Sequence, residues 1–407
     1  MKIAVVGGGS TYTPELVSGL FEVDELALHD VDAPRLDVVA GLASRMLERT
    51  GFSGRLTQTT DLDRAVAGAD FVLVQIRVGG QSARLSDETL PLTCGCIGQE
   101  TTGAGGFAKA LRTVPVVLDI AARVRELSDA WIVDFTNPVG IVTRALLDAG
   151  HRAIGLCNVA IGFERSMARM LGVDPERLLV DQVGLNHLTW VRSVWLDERD
   201  VLGDLIADFG DQLAGQAGGL PRALLEELGA VPSYYLRYFY AHDDVLSTQL
   251  AGATPRAVRV AEIERELLAM YADPALAEKP ALLEQRGGAY YSECATRLVR
   301  SLASGDGRVH VVDVRNDGTL GGLADDDVVE VPARVDGDGA HPLPQPPLAP
   351  ELLGLVQHVA AYERLAAEAA VTRELSAARK ALLAHPLVGQ WRPVEGLLEA
   401  LAVEAVS

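Results

Sequence analysis

The chain has 407 residues, enough for roughly two to three domains of about 150 residues each; 48% of them are apolar and 23% charged, the balance of a globular protein. Its formal net charge of −20 disfavours nucleic-acid phosphates and anionic membrane surfaces as partners, while a few local Arg can still hold a small anion. Four Cys make no disulfide framework, and no run of eighteen apolar residues is present, so a cytoplasmic protein with reduced thiols and no membrane span is expected.

Met1 to Val6 is apolar but stops at Gly7, too short for a signal-peptide core. Ile3 to Val6 is predicted as a buried first strand, and Leu16, Val17 and Leu20 mark a helix after Gly7-Gly8-Gly9. Leu26-Ala27-Leu28 is a second strand ending at Asp30. Phe71 to Ile76, Trp131 to Phe135 and Ala153 to Leu156 are further strand candidates, with a helix over Phe107 to Leu127 between them. Strands alternating with helices predict a doubly wound parallel sheet covered on both faces. Beyond residue 157 the pattern changes to mixed α+β. Val180 to Val183, Trp190 to Leu196, Val309 to Val314 and Val328 to Val335 are predicted strands, with turns at Asn316-Asp317-Gly318 and Asp336-Gly337. Pro255 to Ala277 predicts one long amphipathic helix, and Glu351 to Ala384 one long or broken helix. Five prolines between His341 and Pro350 predict an extended connector. The chain therefore divides into residues 1–157 and 158–407, and no internal repeat is present.

Gly7-Gly8-Gly9-Ser10 lies between a predicted strand and a predicted helix. There the backbone must turn sharply and can approach a pyrophosphate at a helix N-terminus. The third glycine of the usual fingerprint is replaced by Tyr12. Asp30 stands about 20 residues on, where an acid bonds the ribose 2′-hydroxyl and repels a 2′-phosphate, which favours NAD over NADP. A glycine-rich turn without ligand is the bland alternative.

Cys157 leaves the end of the Ala153 to Leu156 strand, and His187 follows in Gly184-Leu185-Asn186-His187. Both residue types ligate metals, and two protein ligands leave coordination positions open for substrate oxygens. On spacing alone a buried small thiol and a satisfied core histidine explain them better. Pro232 to Tyr240 is aromatic-dense in a chain with only 5% aromatics. Either it is core packing, or one phenol is a base that needs a nearby cation to ionise. Arg77 to Lys109, with Arg84, Asp87, Glu88 and Gly98 to Phe107, is polar and glycine-rich after a predicted strand. It is placed to line a crevice, or it is a solvated loop. Thr136-Asn137-Pro138 points to the same rim. Cys94 and Cys96 are too close for ordinary disulfide geometry and, with Cys294, are incidental thiols.

These residues meet a known pattern. Val6-Gly7-Gly8-Gly9-Ser10-Thr11-Tyr12-Thr13-Pro14-Glu15, Arg77-Val78-Gly79-Gly80-Gln81, Gly98-Gln99-Glu100-Thr101 and Phe135-Thr136-Asn137-Pro138 resemble stretches of glycoside hydrolase family 4, in its 6-phospho-β-glucosidase branch. So do Cys157-Asn158-Val159, Gly184-Leu185-Asn186-His187, Tyr235-Leu236-Arg237-Tyr238 and Arg286-Gly287-Gly288-Ala289-Tyr290-Tyr291. The resemblance runs to about residue 390. It implies a Rossmann-like NAD-binding domain followed by a mixed α+β catalytic and oligomerisation domain of lactate/malate-dehydrogenase type. It implies hydrolysis of 6-phospho-β-glucosides by redox elimination, an exception to two-carboxylate glycoside hydrolysis. NAD takes hydride from carbon 3 of the sugar, a base removes the acidified proton on carbon 2, the aglycone leaves, water adds and the hydride returns.

By the same resemblance Cys157 and His187 ligate a divalent metal, usually Mn²⁺, and Tyr235 is the base, with Glu100 its tuning neighbour. Gly7, Gly8, Gly9, Ser10, Thr11, Asp30 and Arg77 hold NAD. Arg84, Asn137, Asn158 and Arg256 contact the phosphorylated sugar, and the assembly is a homodimer or homotetramer. Two departures stand out: Ala160 replaces the Pro of the family's Cys-Asn-Val-Pro, and Leu205 to Val231 is short. Asn158 stands where phospho-α-glucosidases carry an acid, which fits the β branch and leaves the general acid unassigned. Other readings are a family member acting on a different glycoside, a 2-hydroxy-acid dehydrogenase of the same fold, and a non-catalytic NAD-binding regulator.

Overall fold

The computed structural model describes residues 1–19, 23–288 and 290–404, with side chains to residue 401. Six parallel strands form its first half: β1 (Lys2–Val6), β2 (Glu25–His29), β3 (Arg55–Thr59), β4 (Phe71–Val74), β5 (Trp131–Asp134) and β6 (Ala153–Gly155). Their spatial order is 3-2-1-4-5-6, the doubly wound order in which ligands bind outside the carboxyl ends of the strands at the β1/β4 switch. Ile3, Ala4 and Val5 are fully buried, as are Val72, Leu73 and Val74. Strands packed by helices on both faces read as such unbroken apolar runs.

The second half adds antiparallel strands to the same sheet: β7 (Leu178–Leu185), β8 (Leu188–Leu196), β9 (Arg199–Asp200), β10 (Val231–Pro232), β11 (Val309–Arg315), β12 (Val328–Asp336) and β13 (Gly339–Pro342). β11 joins β6 through the single register pair Asp313 and Gly155. β7 joins β12 through the single pair Gly184 and Glu330. A Cβ on Gly155 would collide with the Thr143 hydroxyl and lie 2.8 Å from Asp313 Cβ, so only glycine lets the two halves close here.

Several expectations need correcting. The first helix is one short segment, Thr13–Val17, and Leu20 lies outside the described residues. The segment from Arg77 to Lys109 is not an open loop. Helix Gly80–Thr93 occupies most of it, and helix Gly103–Leu127 starts before Lys109. Its polar residues pair with one another inside the protein, so polarity there did not mean solvent. The helix expected to Ala277 spans Arg256–Tyr271, because Asp273-Pro274 cannot continue it. The proline connector begins as β13, paired with β12 at an edge. Glu351 to Ala384 is two helices, Pro350–Thr372 and Leu375–Ala384, broken where Arg373 takes φ 61°. Strand Phe71 to Ile76 stops at Val74. Among the described residues no helix is long and apolar enough to cross a membrane, and all four cysteines are free.

Candidate active site

The glycine turn leaves β1 at Gly7, whose φ of 93° excludes a side chain. A Cβ there would stand 2.7 Å from Gln75 O. The Gly7 and Gly8 amides both donate to His29 O on β2. Gly9 N–H donates to Asp30 Oδ2 at 2.9 Å, and Asp32 N–H to Asp30 Oδ1 at 3.1 Å. The Asp30 carboxylate is thus fixed against the turn at the end of β2. Ser10 and Thr11 complete the turn, with Ser10 Oγ accepting Tyr12 N–H. This cradle suits a dinucleotide, since only glycine lets a phosphate approach the chain so closely. Arg35 Nε donates to Gly9 O from the first half, and the Tyr271 hydroxyl to Thr11 O from the second, so both halves clamp the turn.

Cys157 follows β6 just ahead of helix Val159–Leu171. Burial pushes its thiol well above the ordinary range and nearby Glu330 and Asp313 push the same way, while the Val159 N–H opposes them. A thiol so placed ionises only when a cation arrives. His187 sits at the β7–β8 hairpin tip in a left-handed backbone conformation, φ 62°. Burial, with the Lys109 charge nearby, lowers its pKa to about 3. The imidazole is neutral, the form a metal needs. Among the described residues no group of three or more His, Cys, Asp or Glu encloses a metal position. Two ligands with open positions match a metal that also binds substrate.

Tyr235 belongs to a short turn of helix, Tyr234–Leu236, after β10. Its ring stacks on His187 with centroids 3.6 Å apart and planes at 7°. Burial raises its pKa well above 10, and the charges of Cys157 and Glu100 add to the rise. The structure therefore gathers Cys157, His187, Glu100 and Tyr235, which lie up to 135 residues apart in sequence.

Glu100 is held by three cations. Lys109 Nζ lies 2.6 Å from Oε2 and Arg84 Nε 3.1 Å from Oε1, and Arg77 forms a close ion pair. Burial opposes ionisation, but Lys109, Arg77 and Arg84 outweigh it and hold Glu100 well below the usual carboxylate range. Arg77, expected at the nucleotide, is turned onto Glu100. Arg84 also bonds Glu88 at 2.7 Å, and Glu88 accepts Ala257 N–H at the start of helix Arg256–Tyr271. Arg256 itself is exposed, with one nitrogen on Arg286 O at 3.2 Å. Asn137, just past β5, has a buried Oδ1 with no partner among the described residues, as expected of an atom reserved for a ligand hydroxyl. Asn158 precedes the helix beside Cys157.

Sequence reasoning missed Lys109, Tyr291 and the pair Asp313 and Glu330. Lys109 carried a signal, a lone cation among Gly105, Gly106, Ala108 and Ala110 in an otherwise apolar helical face. Tyr291 packs edge-on against Tyr12 and Phe135 and lies near Cys157 and Tyr235. Its only mark was the Arg286 to Tyr291 stretch of the family resemblance, which carried no role for it.

Residues 2–173 match the model of the family 4 glycosyl hydrolases, and residues 182–388 that of the family 4 glycosyl hydrolase C-terminal domain. A probable 6-phospho-beta-glucosidase of Bacillus subtilis is 40% identical over 95% of this chain and 92% of its own length. The 6-phospho-beta glucosidase of Thermotoga maritima, solved with manganese, NAD+ and glucose-6-phosphate, superposes with a TM-score of 0.92 at 35% identity, covering 100% of this chain and 98% of that one. A malate dehydrogenase of Plasmodium falciparum with NADH shares the fold alone, with a TM-score of 0.55 at 13% identity over 91% of this chain and 99% of that one.

Proposed function

The chain belongs to family 4 of the glycosyl hydrolases, and from that membership we propose that it hydrolyses 6-phospho-β-glucosides, cellobiose 6-phosphate for example, to glucose 6-phosphate and an aglycone. NAD and a divalent metal, Mn²⁺ first, are its cofactors. The observation that carries the reading is the stack of His187 on Tyr235 with Cys157 and Glu100 around it. A candidate base stands there against the two soft metal-ligand side chains, at the rim where β5 and β6 deliver Asn137 and Cys157.

When bound, NAD⁺ accepts hydride from sugar carbon 3 and returns it at the end of the cycle, so turnover is redox-neutral. When bound, the metal supplies positive charge beside the carbon-3 oxygen and beside Tyr235. The remaining work falls to the chain. The Gly7-Gly8-Gly9 turn, Ser10 and Thr11 seat the pyrophosphate, and Asp30 orients the adenosine ribose. Cys157 and His187 hold the metal. Arg84 and Arg256 hold the 6-phosphate, and Asn137 and Asn158 fix sugar hydroxyls. Tyr235 removes the carbon-2 proton, which the neighbouring ketone has made acidic. Glu100, kept ionised, accepts a hydrogen bond from the neutral phenol or repels its anion, and both effects strengthen the base. Arg77, in the loop after β4, helps hold Glu100 ionised. Asn158 has no acidic proton, so water protonates the departing oxygen.

Residues 1–157 thus hold the nucleotide, and 158–407 supply base, metal ligand and assembly surface. Val371, Leu375 and Trp391, apolar and 56–59% exposed, support a homodimer or homotetramer. Free cysteines support a reducing, cytoplasmic setting.

The test is glucose 6-phosphate release from cellobiose 6-phosphate in D₂O with NAD⁺ and Mn²⁺. Deuterium at carbon 2 is expected. Product without deuterium removes the elimination mechanism, and accumulation of stoichiometric NADH marks a dehydrogenase instead. Tyr235→Phe should lower kcat by at least about 100-fold, the usual worth of a positioned base, with deuterium exchange lost in parallel. Turnover that survives the substitution removes Tyr235 as the base.

A further inference from the structure

One nitrogen of the His187 ring is tied, and the tie has a direction. Nδ1 lies 3.0 Å from Thr101 Oγ1. A threonine hydroxyl has a single hydrogen, and that of Thr101 goes to Gln99 Oε1 at 2.9 Å. The identity of the Gln99 atom is fixed by two other donors: Thr101 N–H at 2.5 Å and Thr102 N–H at 2.7 Å point at it. Two backbone N–H groups are satisfied by the amide oxygen and would clash with the amide NH₂. With its hydrogen committed, Thr101 Oγ1 offers the ring only a lone pair. Nδ1 therefore carries the proton, and Nε2 is bare.

We propose that Gln99 and Thr101 are positioning residues that select the Nδ1–H tautomer of His187 and so make Nε2 its metal-ligating atom. The inference rests on the reading of His187 as a ligand. The Tyr235 ring, stacked nearly parallel on the imidazole, sets the plane of the ring, and the Thr101 contact sets which edge is the donor. Together they leave the lone pair in one direction before any metal arrives. The opposite tautomer puts the proton on Nε2 and requires Thr101 to abandon Gln99. A partner that fixes the second nitrogen of a ligating histidine typically contributes about 10–100-fold in metal affinity. The Gln99-Glu100-Thr101 stretch has two jobs on this account: Glu100 sets the charge beside Tyr235, and its two neighbours set the proton on His187.

Metal-free enzyme is titrated with Mn²⁺ alone, and the free ion is followed by electron paramagnetic resonance. Thr101→Val keeps the shape and removes the acceptor, and should weaken Mn²⁺ binding about 10–100-fold; Thr101→Ser should bind within about threefold of wild type. His187→Gln separates the two readings. If it binds Mn²⁺ as wild type does, the ligand reading fails. If it binds poorly while Thr101→Val binds normally, the ligand reading stands and the tautomer inference falls. A second measurement needs neither metal nor a folded variant at Thr101. In ¹⁵N-histidine-labelled wild-type enzyme, the ring signals lost in His187→Gln should report a protonated Nδ1 and a bare Nε2. A protonated Nε2 overturns the inference.

Discussion

Two buried groups of acids flank the candidate site, and they hold their protons differently. Glu100 is ringed by Lys109, Arg77 and Arg84, which outweigh burial and keep it ionised. On the other side lie Asp134, Asp313, Glu330 and Glu363, where Asp313 and Glu330 are cross-strand partners of β11 and β12. Burial raises Asp134 to about 8, Glu330 to about 7 and Glu363 to about 8. Burial, with Glu330 and Glu363 adding to it, lifts Asp313 well above the usual range. Here amides stand where cations stand around Glu100, and they do not outweigh burial. Asn186 Nδ2 donates to Glu330 Oε2 at 2.8 Å and to Asp313 Oδ2 at 3.4 Å, and Gln182 Nε2 to Glu330 Oε1 at 2.7 Å. Similar burial gives opposite charge states because the counter-groups differ. The −20 balance is therefore a poor guide to the interior near the site, where cations offset Glu100 and burial disfavours ionisation of these four acids.

The contrast breaks most severely at Glu100. Glu100→Gln strands three cations without a counter-charge, and the unfolding free energy in urea should fall by about 3–5 kcal/mol. A loss below about 1 kcal/mol would show the cations relaxing into solvent. At Glu330 the effect is smaller. Glu330→Gln replaces one of two accepting oxygens by an NH₂ that faces Asn186 or Gln182, and should cost about 1–3 kcal/mol. An unchanged urea midpoint would mean the amides repair the network by flipping.

The smallest effect sharpens the comparison through pH. The neutral acids are raised above their unfolded values, so the folded state retains protons that the unfolded chain releases. Their contribution is complete below the ordinary carboxyl pKa and is lost as pH rises toward 7–8. Glu100 has the opposite sign: its contribution is present above the ordinary carboxyl pKa and is lost on acidification. Asp134→Asn removes one raised group, whose Oδ2 has no partner among the described residues. The unfolding free energy measured by calorimetry at pH 5, 6.5 and 8 should decline less steeply in the variant, by up to about 1.4 kcal/mol per pH unit. Equal slopes would mean that Asp134 is ionised in the fold.

Legibility in the sequence followed the range of the interactions. The glycine turn, Asp30 and the strand before each rim residue are local, and β1, β2, β4, β5 and β6 fall where apolar runs put them. The Arg77 to Lys109 stretch stayed open between a crevice lining and a solvated loop, because composition does not say where its charged side chains go. Arg84, Asp87 and Glu88 are buried and partnered across turns of helix and across the site, which composition does not display. Cys157, His187 and Tyr235 were singled out by residue type and resemblance, but spacing alone gave no reason to bring them together.

The sequence by itself determined the parallel half of this protein, since a strand buried on both faces, a turn that only glycine can make and an acid at the next strand end are each specified within a few residues. It also singled out Cys157, His187, Glu100 and Tyr235. The tertiary structure decided their states, a neutral His187 and an ionised Glu100 among them, and set beside them an acid cluster whose pKa values burial raises. Those states depend on burial and on charges and donors from β-strands and helices far apart in the chain, and the electrostatic work of moving a proton is settled only once those groups stand at their final distances.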